Sequence, residues 1–495
     1  MQGEAISPSA TGGVSDDARP LVPLPDGATG EGLAFADSEF GENAGGLRYI
    51  FIDFNAYFAS VEQHDEPALI GRPVIVIPLQ SEHSGAIAAS YEAKALGISR
   101  GTTVREAREI CPDVAVRPAR HDRYVVMHHK LLEEIERHIP IQRVCSIDEC
   151  VCRLNPEEAE PKAARALARR IKAGLHARFG AAIRCSIGLS SSTLLAKLAS
   201  GLQKPDGLTV ILPENLPGAL ATLPLEAIPG IGRGVSQRLI RAGIADFISL
   251  WNLAPKQARA IWGSVTGERF IYGLKGHDVP DGAAPKKAMI GHSRVLSGAH
   301  RRPEGARIVA RALLLKAASR LRHYGLHASG LHLSLRFYPE GSLAQDIRFR
   351  ASQNSWRFLT QLDEMWWPMM DWLADPGHHR DGRRRSIKLA AVHLFGLQNG
   401  APERDLFISV ESDHRDALQA GLWRRIDDAN RKYGMETLMP ASQQGMDLNY
   451  LGVKIAFSRV PEAAEFSDRS LEDQKHLTGM AHHHRLRQNA SRSLY

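Results

Sequence analysis

The sequence of 495 residues has few cysteines and no long hydrophobic run. Its five cysteines contain no Cys-x-x-Cys pair, so they do not indicate a disulfide framework and are compatible with a reducing cytoplasm. Nowhere do about 18 consecutive apolar residues occur, which is the length that a membrane-spanning helix needs. We therefore expect a cytoplasmic protein without a membrane anchor.

Basic residues are nearly absent from the first 46 positions. This segment has eight acidic side chains against one base, Arg19, and is rich in glycine, proline and serine. Such a composition predicts a disordered acidic extension, because it offers too little apolar surface for a core. The net charge of +7 over the whole chain leaves +14 on residues 47–495. A basic body favours a polyanionic partner, and an ordinary solvated surface is the alternative.

The most informative stretch is Cys145–Cys150, in which Asp148 and Glu149 are adjacent. The β-branched residues around the pair predict a hairpin over residues 142–154. Neighbouring side chains of a strand point to opposite faces, so both acids reach one site only if a bend or bound cations draw them together. Adjacent negative charges in an apolar strand are costly unless something neutralises them, and a divalent metal is the usual solution. A solvated turn is the alternative.

A third acid, Asp53, ends a short apolar strand over residues 49–52. Ligands bind where the strands of an α/β sheet end, so this position suits a metal ligand. Residues 54–62 look like a turn into a helix, and helix capping is therefore the alternative role for Asp53.

Three further polar side chains lie on predicted helices. Tyr91 and Lys94 are three residues apart on a helix over 91–98, so they share one face and could together bind a phosphate. Lys197 falls on a largely apolar helix that capping residues open, where a lone cation needs an anion. An ordinary surface lysine is the alternative for Lys94.

Four motifs stand in the order and rough spacing of a Y-family translesion DNA polymerase, which the chain resembles over about residues 47–460. The motifs are Asp53 with Tyr57 and Phe58, Ser90–Lys94, Ser146–Glu149, and Leu195–Ala199 with Lys204–Gly207. The resemblance implies an α+β multidomain fold of the right-hand polymerase type. It would have a mixed α/β palm and fingers, a helical thumb with a helix-hairpin-helix, and a split βαβ little-finger domain.

The resemblance also implies a role for each motif. Asp53, Asp148, Glu149 and the backbone carbonyl of Phe54 would hold two Mg²⁺ ions, for which Mn²⁺ could substitute, during phosphoryl transfer to a primer 3′-hydroxyl. The residues that would bind the incoming nucleotide are Tyr57, Phe58, Tyr91, Lys94 and Lys197. Among them, Phe58 matches the steric gate that occupies the space of a ribose 2′-hydroxyl.

Two positions depart from the family pattern. The family usually has arginine where this chain has Lys94. Lysine keeps the charge but loses the planar bidentate fork, so a weaker grip on the triphosphate is expected. The Asn-Lys pair that usually precedes the Lys197 helix is replaced by Ser192-Thr193, which removes another cation. Neither departure affects the carboxylates.

The predicted domains follow one another along the chain. They are an acidic extension (1–46), palm and fingers (47–213, with the fingers at about 66–118), a thumb (214–283), a linker (284–288), a little finger (289–398) and a partly disordered C-terminal extension (399–495). From residue 289 the predicted order is strand, helix, strand, strand, helix, strand, which is the split βαβ arrangement.

Two regions are expected to contact DNA. Gly230 and Gly232 lie in a turn that resembles a helix-hairpin-helix, whose glycines let backbone N–H groups approach a phosphate. In the little finger, alternation predicts a polar, basic sheet face that suits phosphate backbones, with a merely solvated face as the alternative. The basic residues of this face are Arg336, Arg348, Arg350 and Lys388.

The expected function is low-fidelity, template-directed DNA synthesis across lesions by a monomer that binds primer–template DNA and deoxynucleoside triphosphates. Glu403–Phe407 resembles a degenerate sliding-clamp peptide, and Arg424–Tyr433 a helix that follows the little finger. The aromatic group Trp366, Trp367 and Trp372 is predicted to be core. The alternatives are a catalytically silent scaffold of a mutagenesis complex and a palm-type nucleotide cyclase. The cyclase needs neither the thumb-like hairpin nor the basic sheet.

Overall fold

The computed structural model describes residues 46–78, 80–279, 288–338, 340–375, 385–400, 410–433 and 437–441. The chain divides into two compact units, and the boundary lies close to residue 281. The N-terminal unit comprises the described residues 46–279, and the C-terminal unit comprises those from 288 to 441.

The strands of the N-terminal unit form two sheets. These strands are β1 (Tyr49–Phe54), β2 (Val74–Ile77), β3 (Ala88–Ala89), β4 (Ala115–Pro118), β5 (Ile141–Val144), β6 (Glu149–Arg153), β7 (Cys185–Ser190) and β8 (Leu208–Val210). The central sheet has the order β5-β6-β1-β7-β8, and the small sheet has the order β3-β2-β4. In the central sheet β1 runs antiparallel to both neighbours, and β8 runs parallel to β7.

Helices cover both faces of the central sheet. The helices of this unit are α1 (Tyr57–Asp65), α2 (Tyr91–Ala95), α3 (Val104–Ile110), α4 (His121–Glu136), α5 (Pro161–Phe179), α6 (Thr193–Leu202), α7 (Arg233–Arg241), α8 (Phe247–Trp251), α9 (Pro255–Trp262) and α10 (Thr266–Leu274). Alternate residues of β1 face opposite sides: Ile50 and Ile52 join the core formed with α4 and α5, while Phe51 contacts Ala196 of α6. This two-sided burial explains why the strand is a continuous apolar run.

The smaller parts of the N-terminal unit have cores of their own. The small sheet packs with α2 and α3, and α7 to α10 pack together around buried leucine, isoleucine and phenylalanine side chains. One predicted element is shorter than expected. The helix predicted over 91–98 ends at Ala95, and the strand that precedes it is only Ala88–Ala89. Gly97 has a φ of +86°, a left-handed conformation that ends the helical turn.

The C-terminal unit is built on a four-stranded antiparallel sheet. Its elements are β9 (Met289–Val295), α11 (Pro303–His323), β10 (Leu326–Tyr338), β11 (Ser342–Ser352), α12 (Ser355–Ala374) and β12 (Ser386–Asn399), and the strand order is β11-β10-β12-β9. The predicted order of strands and helices is therefore confirmed.

One face of this sheet packs on α11 and α12. Leu331, Leu333 and Leu335 are fully buried against the helices, as the alternation predicted. The prediction of an entirely buried tryptophan group was wrong for one member. Trp366 is 1% exposed, whereas the neighbouring Trp367 is 56% exposed. Consecutive helical residues point about 100° apart, so both side chains cannot face the same sheet.

A long C-terminal helix, α13 (Val410–Tyr433), packs on the same unit. It contains the predicted helix 424–433 but begins much earlier. Its Trp423 is 4% exposed, and its ring lies 4.6 Å from that of Trp356. The guanidinium of Arg322, whose side chain is 2% exposed, donates from Nε to Oδ2 of Asp427 at 2.6 Å. The helix is therefore held by an apolar contact and a buried ion pair.

Two expectations from composition concern the whole chain. All five cysteines are free thiols, which confirms that no disulfide framework exists. Among the described helices, none is long and apolar enough to cross a membrane.

Candidate active site

Three carboxylates come together at one end of the central sheet. Asp53 on β1 is the direct cross-strand partner of Glu149 on β6. Asp148 lies in the bend between β5 and β6 rather than on a strand, and its carbonyl accepts a hydrogen bond from Phe54 N at 2.8 Å. Because Asp148 and Glu149 are not consecutive residues of one strand, the alternation of side chains does not separate them. A bend is thus what brings the two acids to the same site.

The bend is fixed by two side chains. Ser146 Oγ lies 2.6 Å from Asp148 Oδ1 and 3.3 Å from Glu149 Oε2, so its hydroxyl binds the acid pair directly. Nδ1 of the buried His128 lies 2.7 Å from the carbonyl oxygen of Ile147. Burial lowers the pKa of His128 from 6.5 to about 4, so the ring is neutral near pH 7 and donates its Nδ1 proton to that carbonyl.

Two lysines neutralise two of the carboxylates. Lys197 Nζ lies 2.9 Å from Glu149 Oε2, and Lys204 Nζ lies 2.5 Å from Asp53 Oδ2. The resemblance implied that Lys197 would bind the incoming nucleotide. Lys204 was named only as part of a motif and was given no role of its own. Lysine in a turn is a common surface pattern, and the fold alone shows that Lys204 reaches Asp53.

Burial and neighbouring carboxylates destabilise the ionised forms of Asp53 and Asp148. Burial raises the pKa of Asp53 from 3.8 to about 6, and the charges of Glu149 and Asp148 push in the same direction while Lys204 opposes them. Burial, followed by the charge of Glu149, also raises the pKa of Asp148, against the hydrogen bond from Ser146. Such an excess of buried carboxylate charge favours any bound cation.

The chemistry of the donors suits a divalent metal, although their spacing in this structure does not yet form a closed site. In the part of the chain that the structure describes, no three His, Cys, Asp or Glu side chains are gathered closely enough to hold an ion. Two of the three carboxylates instead bind the lysine ammonium groups, which occupy positions where positive charge is favourable. Carboxylate and carbonyl oxygens are the ligands that Mg²⁺ prefers, and Asp53, Asp148, Glu149 and the carbonyl of Phe54 supply them.

Two of the predicted nucleotide-binding residues share the surroundings of Asp53. Lys94 Nζ lies 4.3 Å from the centre of the Tyr91 ring, as expected for residues on one helix face. Burial and the charge of Asp53 raise the pKa of Tyr91, and burial and the charge of Lys204 lower the pKa of Lys94. Tyr91 and Lys94 thus each interact electrostatically with Asp53, and Lys94 also interacts with Lys204.

The two aromatic residues after Asp53 differ in their surroundings. Tyr57 is 4% exposed, and its hydroxyl donates to the carbonyl of Tyr124 at 2.6 Å. That hydroxyl is therefore used inside the protein, and the nucleotide-binding role of Tyr57 stays a prediction. Phe58 is half-buried and stacks on Tyr124, with ring centres 4.4 Å apart. Its predicted gating role stays a prediction.

The predicted DNA contacts lie in both units. In the N-terminal unit, Gly230 has a φ of +96°, a backbone conformation that favours glycine. Gly232 immediately precedes α7. In the C-terminal unit Arg336, Arg348 and Lys388 are exposed on the sheet, and Arg350 is half-buried. This face also holds an acid, because Asp346 pairs with His332. Glu403–Phe407 lies outside the described residues.

Comparisons with known proteins assign the chain to a family. Residues 52–201 match the model of the impB/mucB/samB family. A DNA polymerase IV of Moorella thermoacetica is 31% identical over 395 residues, covering 78% of this chain and 93% of the relative. A DNA polymerase IV of Halorhodospira halophila is 30% identical over 372 residues, covering 73% and 99%. A solved Y-family DNA polymerase chimera is 20% identical with a TM-score of 0.58, covering 71% of this chain and 100% of its own. The chain belongs to the Y-family of DNA-directed DNA polymerases.

Proposed function

We propose that the protein extends primers across damaged template bases with low fidelity, by transferring nucleotidyl groups at the end of the central sheet. The single observation that supports this most is the meeting of Asp53, Asp148 and Glu149, with a lysine on two of them. In this proposal residues 47–213 act as palm and fingers, residues 214–283 as thumb and residues 289–398 as little finger.

Asp53, Asp148, Glu149 and the Phe54 carbonyl would hold two Mg²⁺ ions, for which Mn²⁺ could substitute. When bound, such ions polarise the attacking hydroxyl and stabilise charge on the phosphoryl oxygens. Ser146 keeps Asp148 and Glu149 oriented by its hydrogen bonds. The raised pKa of Asp53 and of Asp148 means that cation binding removes an unfavourable charge.

Lys204, Lys94 and Tyr91 would bind the triphosphate. These three side chains share the electrostatic surroundings of Asp53, so a phosphate chain beside that carboxylate would meet two ammonium groups and a hydroxyl. Lys197 pairs with Glu149, and we therefore assign it to holding that carboxylate rather than to the nucleotide. Phe58 would exclude the 2′-hydroxyl of a ribonucleotide.

DNA would be bound without reading its sequence. The N–H groups at the Gly230–Gly232 turn suit a phosphate of the backbone. The exposed Arg336, Arg348 and Lys388 add positive charge on the C-terminal sheet, and this contribution should weaken as salt rises. The protein would work as a cytoplasmic monomer.

Primer extension on undamaged and lesion-containing templates in Mg²⁺ tests the proposal. The wild type should extend both, and Asp148→Ala should extend neither. If the wild type extends no template, the alternative holds, namely a silent relative that acts as a scaffold in a mutagenesis complex. That alternative gains no support from the site, because all three carboxylates are present and adjacent.

A sliding clamp is a further proposed partner, through the peptide Glu403–Phe407. Its sequence is the whole support, since these residues lie outside the described ranges. A pull-down with the clamp should capture the wild type and lose the variant in which Leu406 and Phe407 are both alanine. Equal capture of the two would remove the peptide from consideration.

A further inference from the structure

We propose that Asn55 is a positioning residue: together with Ser186 it holds the turn 203–207 so that Lys204 reaches Asp53. The inference rests on the proposed function, because it gives Lys204 its place beside the triphosphate. Asn55 itself touches none of the reacting groups.

Asn55 is buried two residues after Asp53 and binds in two directions. It is 2% exposed, and its amide Nδ2 donates to Ser186 Oγ at 3.0 Å. Its Oδ1 accepts a hydrogen bond from the backbone N of Asp206 at 2.7 Å. One side chain at the end of β1 is thus joined both to the neighbouring strand and to the turn.

Ser186 completes the attachment from β7, where it is the cross-strand partner of Asp53. Its Oγ accepts from the backbone N of Gly207 at 3.2 Å and lies 3.4 Å from the carbonyl oxygen of Gln203. Three backbone groups of the turn are therefore bound by two buried side chains that flank the site carboxylate.

The turn needs such support because its backbone is strained. Asp206 has a φ of +60°, in the left-handed region that non-glycine residues rarely adopt. At Gly207 an added Cβ would lie 1.8 Å from the carbonyl oxygen of Gln203, so the chain passes itself closely there. On the outer side Lys172 Nζ lies 2.8 Å from Asp206 Oδ1.

The position of the Lys204 side chain therefore depends on the backbone of its turn. Its side chain is 31% exposed, and its ion pair with Asp53 is made from a turn that is bound to the ends of β1 and β7. A lysine side chain has several rotatable bonds, so a shift of the turn would let the ammonium leave Asp53 for solvent. Loss of Asn55 should therefore act on triphosphate binding through Lys204.

Steady-state insertion of a single nucleotide tests this with the full-length protein. We compare Asn55→Ala, Lys204→Ala and the double variant. Asn55→Ala should raise KM for the nucleotide about tenfold and change kcat by less than about threefold, since its effect is on ground-state placement. The double variant should match Lys204→Ala alone, because both changes remove the same contact.

Two further variants separate positioning from misfolding. Asn55→Asp keeps an acceptor for Asp206 N and should restore most of the wild-type KM, and Ser186→Ala should raise KM about threefold. The inference is overturned if Asn55→Ala leaves KM unchanged while Lys204→Ala raises it, or if the two effects multiply in the double variant. An unchanged KM in Lys204→Ala overturns the triphosphate role of Lys204 and the inference with it. An inactive wild type overturns the proposed function itself.

Discussion

Lys204 Nζ lies 2.5 Å from Asp53 Oδ2, although 151 positions separate the two residues in the chain. Lys197 stands in the same relation to Glu149. Two of the three site carboxylates thus carry a counterion supplied by the protein itself. A metal ion or a triphosphate that enters this site therefore meets a lysine that is already bound to a carboxylate.

Asp148→Asn should abolish primer extension and stabilise the fold. Activity should fall by about a thousandfold, which corresponds to several kcal/mol of transition-state stabilisation. The midpoint of thermal unfolding should rise, because burial and the charge of Glu149 raise the pKa of Asp148 and so disfavour its ionised form. Asp371→Asn, a change of an exposed acid in the other unit, is the control and should leave the midpoint unchanged. A lower midpoint for Asp148→Asn would contradict this account of the site.

Phe58→Ala should raise ribonucleotide incorporation. The half-buried ring is held in place by its stack on Tyr124, so removing it opens space without moving the carboxylates. The ratio of kcat/KM for deoxyribonucleotide over ribonucleotide should fall by about 10- to 100-fold. Phe58→Leu retains part of the bulk, so its ratio should lie between those of the wild type and Phe58→Ala. Unchanged sugar discrimination in Phe58→Ala would remove the gating role.

Lys94→Arg should strengthen nucleotide binding. Lysine is a point charge at this position, 4.3 Å from the ring centre of Tyr91, and arginine would add a planar pair of donors for phosphate oxygens. We expect KM for the nucleotide to fall by about threefold to tenfold. Lys94→Gln, which removes the charge and keeps an N–H donor on a side chain one atom shorter, should raise this KM. If both variants match the wild type in single-nucleotide insertion, Lys94 does not contact the triphosphate.

His128 should make the N-terminal unit sensitive to acid. Its pKa is lowered from 6.5 to about 4 by burial, so below pH 6.5 the unfolded chain binds a proton that the folded chain does not. The contribution of His128 to the free energy of unfolding is therefore fully present above pH 6.5. It falls as the pH drops towards 4, by up to about 3 kcal/mol. Urea unfolding between pH 7 and pH 4 measures the loss.

His128→Gln keeps a donor for the Ile147 carbonyl and removes the titration, so its stability should depend less on pH over that range. His83→Gln, at an exposed position, should behave as the wild type does. An identical pH profile in all three proteins would show that His128 is not responsible.

Local patterns in the sequence predicted much of the fold. The ends of the helix Pro161–Phe179 are marked in the local sequence, because proline opens it and glycine follows it. The hairpin around Asp148 and the order of elements from residue 289 followed from alternation in the same way. These signals are local, and each needs only a few neighbouring residues.

The parts that were not predicted depend on contacts between distant residues. Nothing near Lys204 in sequence shows that its turn is bound by Asn55 and Ser186. Likewise, the charge on Lys197 does not reveal that its partner is Glu149. The three site carboxylates were singled out by their positions on predicted strands and by motifs that resemble a family, whereas their lysine partners became visible only in the structure.

The ion pair between Arg322 and Asp427 sets where the C-terminal unit can be shortened. Besides Asp427, the guanidinium binds Gln353 O at 3.0 Å and Ser355 Oγ at 2.7 Å, so its charge is fully enclosed. A truncated chain that ends after β12 would leave the buried Arg322 guanidinium without its carboxylate partner. This should lower the free energy of unfolding by about 3–5 kcal/mol. We therefore expect a fragment of the C-terminal unit to need α13 as well as the last strand for its full stability, and urea unfolding of Asp427→Ala should show the same loss.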